Sequence, residues 1–177
     1  NNISLKTKIN NASINSKEIK KNDIFFAIKG KNKNGNLFIQ EAFKRGASIA
    51  IVNSLKKKPK QIKVKDTLKF LTKSSSIVRD NTSSKIIAIT GSCGKTSLKE
   101  LVGKALNKIG NTTYSRKSFN NKFGVPLSLF NLKQNDEFGV FEVGMDKKGE
   151  IDYLSKIIRP DVGVITNISY AHAKNFK

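Results

Sequence analysis

The 177 residues, 37% hydrophobic and 27% charged, have the balance of a folded soluble protein and not of a disordered one. No apolar run approaches the roughly 20 residues that span a bilayer, and "NNISLKTKIN" at the N-terminus has neither a hydrophobic signal core nor a cleavage site, so a cytoplasmic, membrane-free protein is expected. The net charge of +21 invites a nucleic-acid reading, but only four of the 34 basic residues are arginine (Arg45, Arg79, Arg116, Arg159), and Phe25, Phe26 and Phe141 sit in apolar runs instead of between basic clusters; no nucleic-acid partner is expected.

From Asp23, "DIFFAIKG" is a β-prone run closed by glycine. "NLFIQEAFKRG" follows with helical spacing at Phe38, Ile39, Ala42 and Phe43, and "SIAIV" reads as the next strand, which makes a β-α-β unit. "SLKKKPKQIKVKD" reads as a solvated, lysine-rich turn, and "TLKFLTKSSSIVRDNTSSK" as an amphipathic helix followed by a serine- and asparagine-rich segment. That compositional break suggests two domains, 1–82 and 83–177. Beyond it, strand "KIIAIT", helix 97–109, strand "NTTYS", a helix opened near Pro126, strand "FGVFEVG", a helix stopped by Pro160 and strand "DVGVITNIS" alternate regularly. Such alternation predicts an α/β fold: a small N-terminal α/β domain, then a mainly parallel P-loop-type sheet with helices on both faces. Ligands of parallel sheets sit at the carboxyl ends of the strands.

The chemistry gathers at those ends. Strand "KIIAIT" runs straight into Gly91-Ser92-Cys93-Gly94-Lys95-Thr96-Ser97 and then into a helix. Glycines let successive N–H groups converge on an anion, and the helix N-terminus adds partial positive charge. Lys95 suits the terminal phosphates of ATP, and the Thr96 hydroxyl suits a magnesium ion. The loop is shorter than a strict Walker sequence, because Ile89 stands where that pattern has glycine. Glu142, flanked by Phe141 and Val143, is a costly charge to bury unless it is paired or metal-bound; it either shares a cation with Thr96 or lies exposed at the strand terminus. Asn167, at the end of the last strand, is a candidate polar contact and reads equally as a strand cap; His172, the single histidine, lies just past that strand, on the ligand side of the sheet, where a lone histidine is more often structural unless its context says otherwise. Asn120 and Asn121 offer amides to a sugar, peptide or phosphate and are equally good turn residues. Cys93, the single cysteine, excludes an internal disulfide; beside Lys95 it is either a reactive thiol or merely a small residue that the loop tolerates.

Taken together, "TGSCGKTSLKE", "SFNNKFGVPLSLFNL", "FEVGMDKKGEIDYLSKIIRPDVGVITNI" and "AHAKNF" resemble the Mur ligase family, and "INSKEIKKNDIFFAIKGKNKNGNLFIQEAFKRGASIAIV" is similar to that family's N-terminal domain. The resemblance implies ATP-dependent amide synthesis through an acyl phosphate, with UDP-N-acetylmuramoyl-tripeptide and D-alanyl-D-alanine as substrates and ATP and Mg2+ as cofactors. It further implies that residues 91–97 hold ATP, that Lys95, Glu142 and His172 act in catalysis, and that Thr96 and Glu142 hold one metal and His172 a second. Asn120, Asn121 and Asn167 would meet the muramoyl peptide, and Ser16, Lys29, Gly30 and Asn36 the uridine diphosphate. The chain departs from the family pattern at Asn15-Ser16-Lys17, where the family reads aspartate-serine-arginine, at Asn36 for histidine, and at Ala173-Lys174 for leucine-glutamate. The family's carbamoylated lysine and third domain cannot be located in the 177 residues, so the resemblance implies an incomplete central sheet and a monomeric fragment without ligase turnover of its own. The alternatives are another Mur ligase, a folylpolyglutamate synthetase, or a basic nucleic-acid-binding module.

Overall fold

The structure, a computed structural model, describes residues 9–30, 33–55 and 60–169. The chain divides into two compact units, Asn1–Lys73 and Ser74–Lys177. Each contains a four-stranded sheet in which every pairing is parallel.

In the first unit, β1 (Ala12–Ser13), β2 (Ile24–Phe26), β3 (Ile49–Val52) and β4 (Gln61–Lys63) lie side by side in chain order. β2 and β3 are buried on both faces, as continuous apolar runs in parallel sheets require. Phe25, Ala27, Ala50 and Val52 share a core with Ile39 and Ala42 of α1 (Ile39–Lys44). Phe26, of opposite parity, faces Phe70 of α2 (Thr67–Asp80), with ring centroids 6.4 Å apart.

Two strands here have little sequence signal. β1 is only two residues long, and β4 lies in the stretch that reads as a solvated turn. Of β4 only Gln61 is buried, while Lys63 is exposed; a short, lysine-bearing strand is how a sheet edge is kept soluble, and it looks like a loop in composition. The division between the units also falls inside α2, whereas the compositional break follows it. Thr67 donates to the Ala27 carbonyl at 3.3 Å, while Val78, further along the helix, packs on the core of the second unit. Packing changes along α2 before composition does.

In the second unit the order is β6 (Thr112–Tyr114), β7 (Phe138–Glu142), β5 (Lys85–Thr90), β8 (Val162–Ile165). Ile86, Ala88, Phe141 and Val143 form one core with Val125 and Leu129 of α4 (Gly124–Phe130) and Leu154, Ile157 and Ile158 of α5 (Glu150–Ile158). Helix α3 (Lys95–Leu106) covers the opposite face, because the crossover from β5 to β6 runs across the sheet in the opposite direction to those through α4 and α5, and right-handed crossovers of opposite direction lie on opposite faces. Val140 and Glu142 point to that face, and Glu142 is in register with Ile89. α3 starts two residues before the spacing predicts, because Gly94 caps it in the left-handed region (φ +79°), and it ends at Leu106 with Asn107 as its C-cap. β8 is an exposed edge with Val162 51% and Ile165 63% accessible, and it stops at Ile165 because the residues after it turn into the loop that follows β5.

Candidate nucleotide and metal site

Because β5 is the strand from which the chain leaves in one direction through α3 and past which it later crosses to β8, its carboxyl end is the topological switch point of the sheet. The loop 91–94 lies there. Gly91 has φ +133°, and a Cβ on it would stand 2.1 Å from Thr166 Oγ1, so only glycine fits. The Thr166 hydroxyl donates to the Cys93 carbonyl at 2.5 Å, with the Thr90 carbonyl at 3.2 Å as the longer contact of the same hydrogen. Asn167 Oδ1 accepts the N–H groups of Ser92 (3.1 Å) and Cys93 (3.0 Å), and its Nδ2 lies 2.8 Å from Cys93 Sγ. The residues after β8 therefore clamp the outer side of the loop. The first-turn N–H groups of α3, which have no partner within the helix, remain for an anion.

Lys95 folds back over the loop, its Nζ 2.6 Å from the Gly91 carbonyl and 3.4 Å from that of Ser92. Thr96 Oγ1 donates to Glu142 Oε2 at 2.8 Å, and Asn120 Nδ2 donates to Glu142 Oε1 at 2.7 Å. Glu142 is 1% exposed, so the alternative of a solvated strand terminus does not hold. Its main-chain N–H donates to Ser115 Oγ at 3.2 Å. The asparagine pair divides its work: Asn120 reaches Glu142, while Asn121 Oδ1 accepts from the N–H groups of Phe123 (3.0 Å) and Gly124 (3.1 Å) at the start of α4, the turn role. A cavity of about 400 Å³ opens beside the loop, lined among others by Ser92, Lys95, Asn120, Asn121 and Asp146. At its rim Glu150 accepts from the N–H groups of Asp146 (2.6 Å) and Lys147 (3.1 Å), and the bond from Asp146 is the main cause that holds its carboxyl below the usual range.

The donor set at Thr96 and Glu142 is all oxygen, which suits a hard cation. Among the described residues, no group of three or more His, Cys, Asp or Glu side chains could hold a metal. Thr96 and Glu142 therefore fit magnesium that arrives with phosphate oxygens and its own waters, which is how that ion usually binds. Ser97 is exposed on the first turn of α3. His172 lies outside the described residues.

In the first unit the remaining predicted residues stand at the carboxyl edge of its sheet. Ser16 donates its hydroxyl to Glu41 Oε2 at 2.7 Å, the main cause that holds the Glu41 carboxyl below its ordinary range. Lys29 bridges to Asn34, and the Gly30 N–H donates to the Lys33 carbonyl at 2.8 Å. Asn36 Nδ2 donates to Asn34 Oδ1 (2.8 Å) and Asn53 Oδ1 (2.7 Å), while its own Oδ1 is buried without a hydrogen-bond partner. Asn53, Ser115 and Thr166 were not legible as site residues. Asn53 alone had a signal, as a polar residue directly after a buried strand.

A parallel sheet whose switch point carries a glycine-lysine-threonine loop, with a buried acid on the adjacent strand meeting the threonine, is an arrangement typical of α/β proteins that bind phosphate. The Mur ligase middle domain matches residues 89–177, and the Mur ligase family catalytic domain matches residues 8–91. The chain belongs to the Mur ligase family. It is 41% identical over 170 residues to a UDP-N-acetylmuramoyl-tripeptide–D-alanyl-D-alanine ligase of Buchnera aphidicola, covering 96% of this chain and 37% of that one. The ligase of the same name from Rickettsia prowazekii is 38% identical, covering 98% and 39%. Crystal structure I of MurF from Acinetobacter baumannii superposes with a TM-score of 0.82 at 35% identity, over 97% of this chain and 38% of that one. MurF from Thermotoga maritima, solved in complex with ADP, superposes at 0.74 with 32% identity, over 92% and 38%. The chain thus spans little more than a third of the length of these relatives.

Proposed function

We propose that these residues form the uridine-nucleotide and ATP-binding part of a ligase that joins D-alanyl-D-alanine to UDP-N-acetylmuramoyl-tripeptide. The observation that carries the reading is the Thr96–Glu142 contact of 2.8 Å directly beneath the Lys95 loop. In the reaction, a carboxylate oxygen of the tripeptide attacks the γ-phosphorus of ATP and ADP departs. The dipeptide amine then attacks the acyl carbon, releasing phosphate and a proton. Catalysis of this kind rests on positioning and charge neutralisation.

In this reading the N–H groups of α3 and Lys95 would hold the phosphates, and Thr96 and Glu142 would hold one magnesium, which would supply charge neutralisation there. Asn120 orients the carboxylate of Glu142 and, with Asn121, borders the muramoyl peptide. Asn167 takes a positioning role through Ser92 and Cys93, and His172 is assigned a second metal. Ser16, Lys29, Gly30 and Asn36 face the uridine diphosphate; the buried Asn36 Oδ1 is an acceptor of the kind that the imide N–H of uracil satisfies. The protein works as a cytoplasmic monomer, where ATP is supplied, and no described helix is long and apolar enough to cross a membrane.

Calorimetry of ADP binding to the 177-residue chain, with and without magnesium, tests the nucleotide part. Lys95→Ala is expected to weaken ADP by about 100-fold, and Glu142→Gln to remove only the gain that magnesium gives. Binding to nucleic acid that falls steeply with salt and survives Lys95→Ala, with no ADP affinity in the parent chain, would establish the basic-module alternative. Assay of the complete protein with each muramoyl peptide and with folate separates the other ligases. Amide formation by the 177 residues alone is not expected.

A further inference from the structure

Helix α3 turns an unusual residue inward. Lys99 lies three residues after Thr96 and four before Gly103, on the stripe that faces the sheet, and it is 0% exposed. An ammonium group in such a place is strongly unfavourable unless all its hydrogens are taken. Lys99 Nζ has three acceptors: Glu100 Oε1 at 2.7 Å, the Ser115 carbonyl at 2.7 Å and the Lys117 carbonyl at 3.0 Å. Its donor capacity is filled. Two of the three acceptors belong to the main chain between β6 and Asn120, where Lys117 is held in the left-handed region with φ +50°.

Both acceptor residues lead to the metal corner. The Ser115 hydroxyl accepts the N–H of Glu142 at 3.2 Å, and the Ser115 N–H donates to the Val140 carbonyl at 3.0 Å. Past Lys117 the chain reaches Asn120, whose side chain donates to Glu142 and whose carbonyl accepts the Gly144 N–H at 2.7 Å. We propose that Lys99 is a positioning residue: its buried ammonium ties residues 115–117 to α3, and so fixes Glu142 and Asn120 relative to Thr96 on the same helix. An apolar side chain would fill the space but remove the ammonium's bonds to these two carbonyls, freeing the segment that aims the carboxylate. This deepens, and rests on, the reading of this corner as a magnesium–nucleotide site.

The test is ADP binding by the 177-residue chain, with and without magnesium, in the parent and in Lys99→Met, which keeps length and removes charge. The expected result is that Lys99→Met loses about tenfold of the affinity that magnesium adds, while metal-free ADP affinity, set by Lys95 and the loop, stays within about threefold. Equal loss with and without magnesium, or no loss, overturns the proposal. If Lys99→Met does not fold, Ser115→Ala, which cuts the same connection one step later and leaves the ammonium in place, must show the selective loss; its absence also overturns the proposal. If magnesium adds nothing in the parent chain, the nucleotide reading has failed, and hydrogen exchange decides the positioning role. Protection of the Gly144 N–H must then fall about tenfold in Lys99→Met, while that of the Val143 N–H, bonded to the Ile89 carbonyl at 2.8 Å, is kept.

Discussion

The two sheets of this protein have the same number of strands and the same parallel sense, yet they present different chemistry at their carboxyl edges. The first runs β1-β2-β3-β4, so each connection steps in one direction and no strand is a point of departure to both sides. Its edge is occupied by polar side chains that bond one another, Ser16 to Glu41 and Asn36 to Asn34 and Asn53. The second runs β6-β7-β5-β8, and the reversal at β5 leaves a crevice into which the loop, Thr96 and Glu142 converge. Strand order, more than strand composition, decides which sheet has a crevice at its carboxyl edge.

The comparison is sharpened first by Gly91→Ala. A methyl group set 2.1 Å from Thr166 Oγ1 at φ +133° costs about 3 kcal/mol and displaces the loop, so ADP binding should vanish from calorimetry and the melting temperature should fall. Normal ADP binding in that variant would detach the site from the switch point of the second sheet. A smaller effect comes from Asp161, which stands at the opposite end of β8. Its Oδ2 accepts the Ile86 N–H at 2.8 Å, and that bond, ahead of Lys85 and Arg79, holds its carboxyl below the ordinary range. A lowered value means that the native state favours the charged form, so the stabilisation is complete above about pH 4 and is lost as pH falls through the folded-state value. Asp161→Asn should destabilise the second unit by about 1 kcal/mol at neutral pH, and denaturant titrations should show the gap closing as the buffer is acidified below about pH 4. The smallest effect belongs to the first sheet: Asn53→Ala should leave ADP binding unchanged and weaken UDP by about threefold, measured by calorimetry, because it loosens Asn36. A change in ADP affinity there would erase the contrast between the two edges.

Much of the second unit was legible beforehand, because buried parallel strands are continuous apolar runs and the segments between them have helical spacing, although α3 ends at Leu106, short of the glycine at 110 that the spacing suggested. The loop 91–97 was legible because its chemistry is local: glycines, a cation and a hydroxyl within one turn of a helix. Glu142 could be singled out as an unpaired charge in an apolar strand, but not its partners Asn120 and Ser115, which lie 22 and 27 residues earlier in the chain. Asn167 could be placed near the site, yet its attachment to the Ser92 and Cys93 amides depends on β8 lying beside β5, which spacing does not reveal. In the first unit the lysines around β4 hid an edge strand, because solvent-exposed edges and turns favour the same residues.

By itself the sequence determined the alternation of strand and helix and the glycine-lysine-threonine loop that joins a buried strand to a helix, since these follow from periodicity and from side chains close together in the chain, and the oxygen chemistry of Thr96 and Glu142, which is a matter of residue type. Tertiary structure alone decided that Glu142 faces α3 and not the opposite core, that Asn120 serves the carboxylate while Asn121 holds the turn before α4, and that Lys99 is buried against the segment that leads to Asn120. The reason is that strand order and register set which face each alternate residue presents, and both depend on pairings between segments far apart in the chain.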